Sequence, residues 1–440
     1  MGRAARLSGL IPPGSLLRER SFGLFWGAHA ISETGSRITS VVAPILVYQL
    51  TGSALGTGVL AALQAVPYLL FGLFAGAIAD RADRRRVMVG CNVLQTIVLA
   101  TVPLAAAVGV LEVEQVFVVA IVSATLFVWF DAANFGALPL IAGRNRLVEA
   151  NAAVSGASSL IAVVGPAVAG VLAATIGPAY AIGIDAASYG LSAVALLLVR
   201  APFSTRHLDP ASVEPVVRRL LADVREGLRF LWGHRLVRTL TLLGFGVSFT
   251  GGAVTGLTVV YGVQALGLPD SGAGIGLLFS AAALGSLASS VLLPALNRRF
   301  ATGSITLGGL TAAVVAVTAL ALVTNFAAAL VFFCAWGAAQ TLVIINTISL
   351  RQQVAPDHLQ SRVNVSARMI AWGGMPFGAA VGGALAQVTS IEATYLVMAL
   401  GVGISAAIGW FSPLRFARAD SRLESGDPSA HGRGQANSQT

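Results

Sequence analysis

Lysine is absent from the 440 residues, so all 28 basic side chains are Arg. A Walker-type phosphate loop needs a Lys on the nucleotide phosphates, and Schiff-base catalysis needs a Lys amine, so both are excluded. ATP is not this chain's own fuel. Charge of either sign is scarce: Asp, Glu and Arg make up 11% of the chain, against roughly one quarter in a soluble domain. Cysteine occurs twice, Cys91 and Cys334, each inside an apolar run where a small buried hydrophobe is the expected role and a disulfide is not. The five His form no H-E-x-x-H motif and no cluster with Asp, which leaves no metal site, no cofactor and no constellation for a membrane hydrolase or acyltransferase. The chain is therefore not expected to be an enzyme, nor a nucleic-acid binder.

What is present is hydrocarbon. Hydrophobic residues supply 56% of the chain, and runs of about 20 apolar residues, enough to cross a bilayer, recur from Ser21 to Pro413. Spanning helices are predicted near 22–50, 54–79, 86–110, 115–141, 150–176, 178–199, 237–263, 272–295, 303–323, 326–349, 361–388 and 391–412. Twelve spans place both termini on one side, and charge tests the count, because cytoplasmic loops hold the excess of Arg. With the N-terminus inside, the inner segments carry Arg3 to Arg20, Arg81 to Arg86, Arg144 and Arg146, Arg200 to Arg238, Arg298 and Arg299, Arg351 and Arg362, and Arg415 onward. The outer connections hold Glu112, Glu114, Asp270 and Glu392 and no Arg. Both termini are therefore expected in the cytoplasm, and the chain in the plasma membrane.

The organisation read from this pattern is an N-terminal arm over 1–21, a six-helix bundle over 22–199, a central cytoplasmic loop over 200–236, a second six-helix bundle over 237–412 and a disordered tail over 413–440. Within the loop, "VVRRLLADVREGLRFLWGHRL" alternates charge with Leu, Val, Phe and Trp at helical spacing. It reads either as an amphipathic helix on the inner membrane face or as a linker helix packed on the bundle. "RNRLVEANAAVSGASSLIAVVGPAVAGVLA" in the first half echoes "PDHLQSRVNVSARMIAWGGMPFGAAVGGALA" in the second, pairing Leu147 with Leu359, Gly170 with Gly383 and Leu172 with Leu385. Both copies enter the membrane from the same side, which makes the halves parallel repeats, an arrangement that puts a transport site between them.

The stretch "GAIADRADRRRVMV" concentrates charge between the second and third spans. Its pattern, Gly76-x-x-x-Asp80-Arg81-x-x-Arg84-Arg85, resembles the loop signature of the major facilitator superfamily, and twelve helices in two sixes resemble that family over nearly the whole chain. The resemblance implies an all-α membrane fold of two parallel-repeat bundles. It also implies an inner gate in which Gly76 lets helix two approach helix eleven, Asp80 sits near the start of helix eleven, and Arg81, Arg84, Arg85 and Arg362 complete a charge cluster. A carboxylate at a helix N-terminus is stabilised by ~0.3–1 kcal/mol when exposed, so Arg362 is a natural partner for Asp80 or Asp83. A merely topogenic Arg cluster is the plain alternative. "GASSLIAVVGPAVAG", with Gly165, Pro166 and Gly170, is similar to the helix-five motif of proton-antiporting exporters, and Ala169 replaces one Gly of the usual pair. "SETGSR", "DAANFGALPLIAG", "NRLVEAN" and "EGLRFL" resemble the macrolide-efflux and enterobactin-exporter branch, with Asn134 standing where many relatives have Arg.

An ionisable group in hydrocarbon costs ~2.5–3.5 kcal/mol on insertion scales and is a functional candidate by default. Glu33 and Asp131 each lie ~15 Å from the inner end of their helices, near the bilayer midplane. Glu33 and Arg37, four apart, share a helix face and read equally as a structural ion pair or a proton site. Asp131 has no opposite charge on its own helix and is the leading proton-coupling candidate. Asp185 is expected to make a structural hydrogen bond, Arg368 to meet substrate or anchor the gate, and His29 to pack. The helices that line the cavity in this family carry Glu33, Arg37, Asp131, Asn134, Phe245, Phe249, Trp336, Gln340 and Asn346 here, aromatic surface with a few amides that suits an amphiphilic ligand of some size. The expected function is secondary export of a drug-like or siderophore-like compound in exchange for protons, by a monomer whose partners are the lipid bilayer, protons and a small-molecule substrate. Proton-coupled uptake and a non-transporting sensor on the same fold are the alternatives.

Overall fold

The structure, a computed structural model, describes residues 15–79, 82–201, 203, 224–270, 272–356, 359–412 and 414. The described residues fold into twelve long helices: α1 (Arg20–Thr51), α2 (Ala54–Ala79), α3 (Arg84–Ala107), α4 (Val113–Ala142), α5 (Leu147–Ile176), α6 (Pro178–Leu198), α7 (Arg235–Gln264), α8 (Ala273–Arg299), α9 (Thr302–Leu322), α10 (Phe326–Val354), α11 (Gln360–Val388) and α12 (Ile391–Trp410). Their bounds fall within a few residues of those expected from the apolar runs. Eleven are long and apolar enough to cross a membrane; α1, which carries His29, Glu33 and Arg37 in its middle, is the exception. Turns between helices are tight, and five of them among the described residues carry a glycine at positive φ, among them Gly52 (φ 61°) after α1 and Gly177 (φ 87°) before α6. No Cβ is needed to close either turn, and none would be tolerated there without strain.

The helix pairings repeat with a step of six. α1 packs on α5 and α6, as α7 packs on α11 and α12; α2 packs on α4, as α8 packs on α10; α3 packs on α4 and α6, as α9 packs on α10 and α12. The halves meet through α2 against α11 and α7, and through α5 against α8. In each half, apolar clusters fill the bundle. One ties Val42, Val47, Leu99, Ile182 and Tyr189 together. Another is built around an aromatic chain, in which Tyr261 stacks on Tyr395 at 5.1 Å, Phe333 meets Tyr261 edge-on at 5.7 Å, and Trp336 meets Phe333 edge-on at 6.3 Å.

Two glycine crossings close one end of the molecule, the end opposite the starts of α1 and α7. Gly58 of α2 lies against Gly383 and the Ala379 carbonyl of α11, and Gly276 of α8 lies against Gly170 and the Pro166 carbonyl of α5. Small residues are required because the backbones touch. Gly170 and Gly383, paired by the internal repeat, thus hold equivalent positions in the two halves. Hydrogen bonds join the halves at the same end: Ser53 Oγ and the Leu55 N–H donate to Gln387 Oε1 at 2.9 and 3.4 Å, and Gln264 Nε2 donates to Tyr48 Oη at 3.4 Å. Towards the other end the space beside Gly76 and Gly156 is open, so the crevice between the halves widens on the side where the chain enters α1.

The central segment is described from 224, and 224–233 is helical. It lies on α11: Gly227 sits against the Arg362 carbonyl and Ser366, and Leu231 is buried with Val237, Leu359, Val363 and Ala367. For this stretch the packed linker helix, rather than a helix facing lipid, is the arrangement found. The rest of the charged run, the tail from 415, and Asp80 and Arg81 lie outside the described residues.

Candidate functional site

The polar face of α1 organises the crevice. Glu33, His29 and Arg37 recur at four-residue spacing and therefore stack on one face. Glu33 accepts from Arg37 Nη2 at 3.3 Å, lies 3.4 Å from His29 Nε2, and accepts from Ser158 Oγ on α5. The Cβ of Arg37 rests beside Gly165, whose missing side chain lets α5 approach α1. Glu33 is thus held by a guanidinium, an imidazole and a hydroxyl, with its side chain 15% exposed.

Asp131 of α4 differs in every respect. It is exposed, and among the described residues no group donates a hydrogen bond to it. The basic groups within electrostatic reach of its carboxylate are His29 of α1 and, from the other half, Arg368 of α11. Arg368 lies 5.8 Å above the Tyr68 ring of α2 and 5.9 Å from that of Trp372, and the two rings are 5.1 Å apart. The guanidinium and both rings therefore bridge α2 and α11. Asp131 on one half is thus within electrostatic reach of Arg368 on the other, an arrangement in which protonation changes the attraction between the halves.

The other cavity candidates separate into two groups. Phe245 and Phe249 are half-buried, 6.3 Å apart, with their backbones pressed on Gly374 and Gly378 of α11. Gln340 packs its amide on Gly251 of α7. Asn134 is half-buried with its Oδ1 lacking a partner. Trp336 is 7% exposed and belongs to the aromatic core between α7, α8, α9 and α12, and Asn346 is fully buried with neither amide atom paired. Trp336 is held in the bundle by its edge-on contact with Phe333, and both side chains are buried in this conformation.

At the expected inner gate, Asp83 caps α3 by accepting from the Arg85 and Arg86 N–H groups at 3.0 and 3.2 Å, and pairs with Arg86. Arg84 lies beside Gly136 of α4 and reaches the Phe203 carbonyl; Arg85 donates to the Leu197 carbonyl and sits over the Phe203 ring. Both are tied within the first half. Arg362 pairs with Glu226 of the central segment, and Gly76 has open space beside it where α11 was expected.

One group of residues escaped the sequence. A cavity of about 400 Å³ lies mostly among α1, α2, α3, α4 and α6 of the first half and is bordered on its other side by Thr255 of α7, Phe279 of α8 and Trp372 and Met375 of α11. Its polar residues include Ser36, Thr39, Gln64, Gln95, Asp185 and Tyr189. Asp185, 2% exposed, makes the structural hydrogen bonds expected of it, accepting from Thr39 and Ser188. That it also borders a cavity depends on which face of α6 meets α1 and α3, and no local spacing reports this.

A family model described as "Transmembrane secretion effector" matches residues 11–431. The multidrug efflux pump Tap of Mycolicibacterium fortuitum is 29% identical over 393 residues, covering 86% of this chain and 92% of Tap. The enterobactin exporter EntS of Salmonella paratyphi A is 24% identical over 373 residues, covering 82% and 84%. Macrolide efflux protein A of Streptococcus pyogenes is 24% identical over 226 residues, covering 51% and 54%. Among solved structures, a bacterial homologue of the lysosomal transporter Spinster, in an inward-facing and unoccupied conformation, superposes with a TM-score of 0.69 at 15% identity, covering 91% of this chain and 97% of that one.

Proposed function

Because the chain belongs to the transmembrane secretion effector family of the major facilitator superfamily, we propose that it exports amphiphilic organic compounds from the cytoplasm by exchanging them for protons. The efflux of drugs, macrolides and a siderophore by its relatives supports export over uptake. Asp131 is the observation that carries the coupling: an exposed acid without a hydrogen-bond donor, on one half, opposite Arg368 on the other. In the inward-open state proposed for this conformation, with both termini cytoplasmic as the Arg distribution implies, the Asp131 carboxylate attracts Arg368 and holds the inner ends of the halves at a set spacing. Protonation removes that attraction and shifts the balance of the two states. Glu33, paired with His29 and Arg37, supports the face of α1 along which substrate passes, and its proton traffic is secondary. Phe245, Phe249, Gln340 and Asn134 supply contact surface between the halves. The protein acts as a monomer in the plasma membrane, with the loop signature around Gly76, Asp80 and Arg81 and the motif around Gly165, Pro166 and Gly170 serving as the surfaces that part and close.

Purified protein in liposomes, loaded with a fluorescent amphiphile and given a pH step, tests this. An inwardly directed proton gradient is expected to drive amphiphile movement in the opposite direction. Movement with the protons would mean uptake, and movement indifferent to them would overturn the antiport reading.

A further inference from the structure

The cavity lined mostly by the first bundle is built for a ligand of one charge. Among the described residues Asp185 is the only acid or base of the Asp, Glu, Arg and His type on its wall. Its carboxylate is buried, and its donors, Thr39 Oγ1 and Ser188 Oγ, are neutral hydroxyls. The absence of a Cβ at Gly35 brings the α1 backbone against it and against Ser188. The charged groups of the neighbouring elements are engaged elsewhere: His29 and Arg37 of α1 pair with Glu33, and Arg37 faces α5. The titratable groups near Asp185 are Tyr189, whose hydroxyl lies 2.8 Å from Ser36 Oγ, and Cys91 of α3. Ser36 Oγ donates to the Ser32 carbonyl at 2.8 Å, so Tyr189 is the donor in that pair.

A second, independent feature points the same way. Gln95, 2% exposed, donates through Nε2 to the Ser123 carbonyl at 2.9 Å, which fixes its Oε1 as an acceptor, and that Oε1 is buried with no partner. A buried acceptor left unpaired carries its full desolvation cost unless something donates to it. The wall therefore offers a carboxylate and an amide oxygen and lacks a cation to meet them, while Leu99, Val102, Val119 and Phe127 make the rest apolar. At about 400 Å³ the volume falls in the range of small-molecule sites.

We propose that this cavity binds amphiphiles bearing a protonated amine, with the ammonium donating to Asp185 and Gln95 and the apolar body lying along α3 and α4. The proposal rests on the export reading and narrows its substrates to cations. An anionic amphiphile would bring like charge against a buried carboxylate and is excluded. The carboxylate and the amide oxygen both belong to the first half, while Thr255, Phe279, Trp372 and Met375 of the second half close part of the wall, so a ligand held there touches both halves.

Calorimetry on the full-length protein in lipid nanodiscs, with empty discs subtracted, tests this with three probes of one skeleton: phenylhexylamine, phenylhexanol and phenylhexanoate. The amine is expected to bind at least about tenfold more tightly than the alcohol, and the carboxylate more weakly than both. Asp185→Asn is expected to erase the preference for the amine while the alcohol still binds, and Gln95→Leu to lower that preference in part. Val119→Trp, which fills the cavity and leaves the charge in place, is expected to weaken all three. Equal affinities for amine and alcohol in the wild-type protein would overturn the proposal, and this comparison stands even if Asp185→Asn does not fold. So would a preference that survives Asp185→Asn, or one that Asp131→Asn abolishes in its stead. Amine-selective binding without proton-driven efflux would overturn the export reading and leave the site standing; efflux without amine selectivity would do the reverse.

Discussion

Two acids of the first bundle face the crevice, and their surroundings give them different work. Glu33 is held by Arg37, His29 and Ser158, whereas Asp131 has no donor among the described residues and lies within electrostatic reach of Arg368 on the opposite half. Asp131→Asn is therefore expected to leave substrate binding measurable and to abolish the dependence of efflux on a pH gradient, read as proton-driven transport in liposomes falling by at least about tenfold. Glu33→Gln is expected to lower the rate with the proton dependence retained; loss of that dependence in Glu33→Gln alone would reverse the assignment. Trp336 tests packing instead. Its edge-on contact with Phe333 and the stack behind it make Trp336→Ala a core truncation of the kind that costs ~3–5 kcal/mol. A lower melting temperature is expected, and an unchanged melting temperature with altered substrate selectivity would return Trp336 to the crevice. The Glu33 and Arg37 pair was readable because helical spacing alone brings the two together. The burial of Trp336 was not, since Tyr261 and Tyr395, which complete its surroundings, come from α7 and α12. Gln95 gave no signal at all: a single amide in an apolar run becomes informative only when Ser123 fixes its orientation.

At the scale of helices, the bounds were legible because lipid demands about 20 apolar residues per crossing and turns must carry glycine or proline. The face each helix presents was less so. The expected approach of α2 to α11 at Gly76 is replaced here by an approach at Gly58, one end of the helix away, because the halves are splayed where Gly76 lies. Both sites are glycines on one apolar helix, and sequence cannot rank them for a molecule that alternates between contacts. Gly276→Val would set a side chain against the Pro166 carbonyl and Gly170. It is expected to fold, to slow transport at least about tenfold, and to expose residues near the crossing to a membrane-impermeant maleimide, introduced cysteines being labelled after Cys91 and Cys334 are replaced. Unchanged labelling and transport would remove the crossing from the gating surface. Arg84 and Arg85 make a related point: their sequence pattern announced a charge cluster, and among the described residues both reach backbone carbonyls of the first half, Phe203 and Leu197.

For the molecule as a whole, the step of six in helix pairing follows from the repeat that couples Gly170 to Gly383, and this much of the architecture was written in the sequence. Motion is then a rotation of one six-helix body against the other. Ala61 of α2 and Gly256 of α7 face each other across the halves, 3.1 Å from a Cβ placed at Gly256, close to the separation a disulfide spans once the backbone relaxes by a few tenths of an ångström. In a chain lacking Cys91 and Cys334, Ala61→Cys with Gly256→Cys is expected to stop transport on oxidation and to recover it with reductant. Transport that persists in the oxidised protein would show that the halves need not separate there.

The glycine crossings also set how the barrier behaves in time. Where main chain touches main chain, no rotamer flip can make a gap, so the seal does not flicker on the picosecond to nanosecond scale of side chains. It yields only when entire rods move together, a collective event of microseconds to milliseconds. Ions and water are thereby denied the brief, partial openings that a plug of flexible side chains would grant them, and the membrane stays insulated between one cycle and the next.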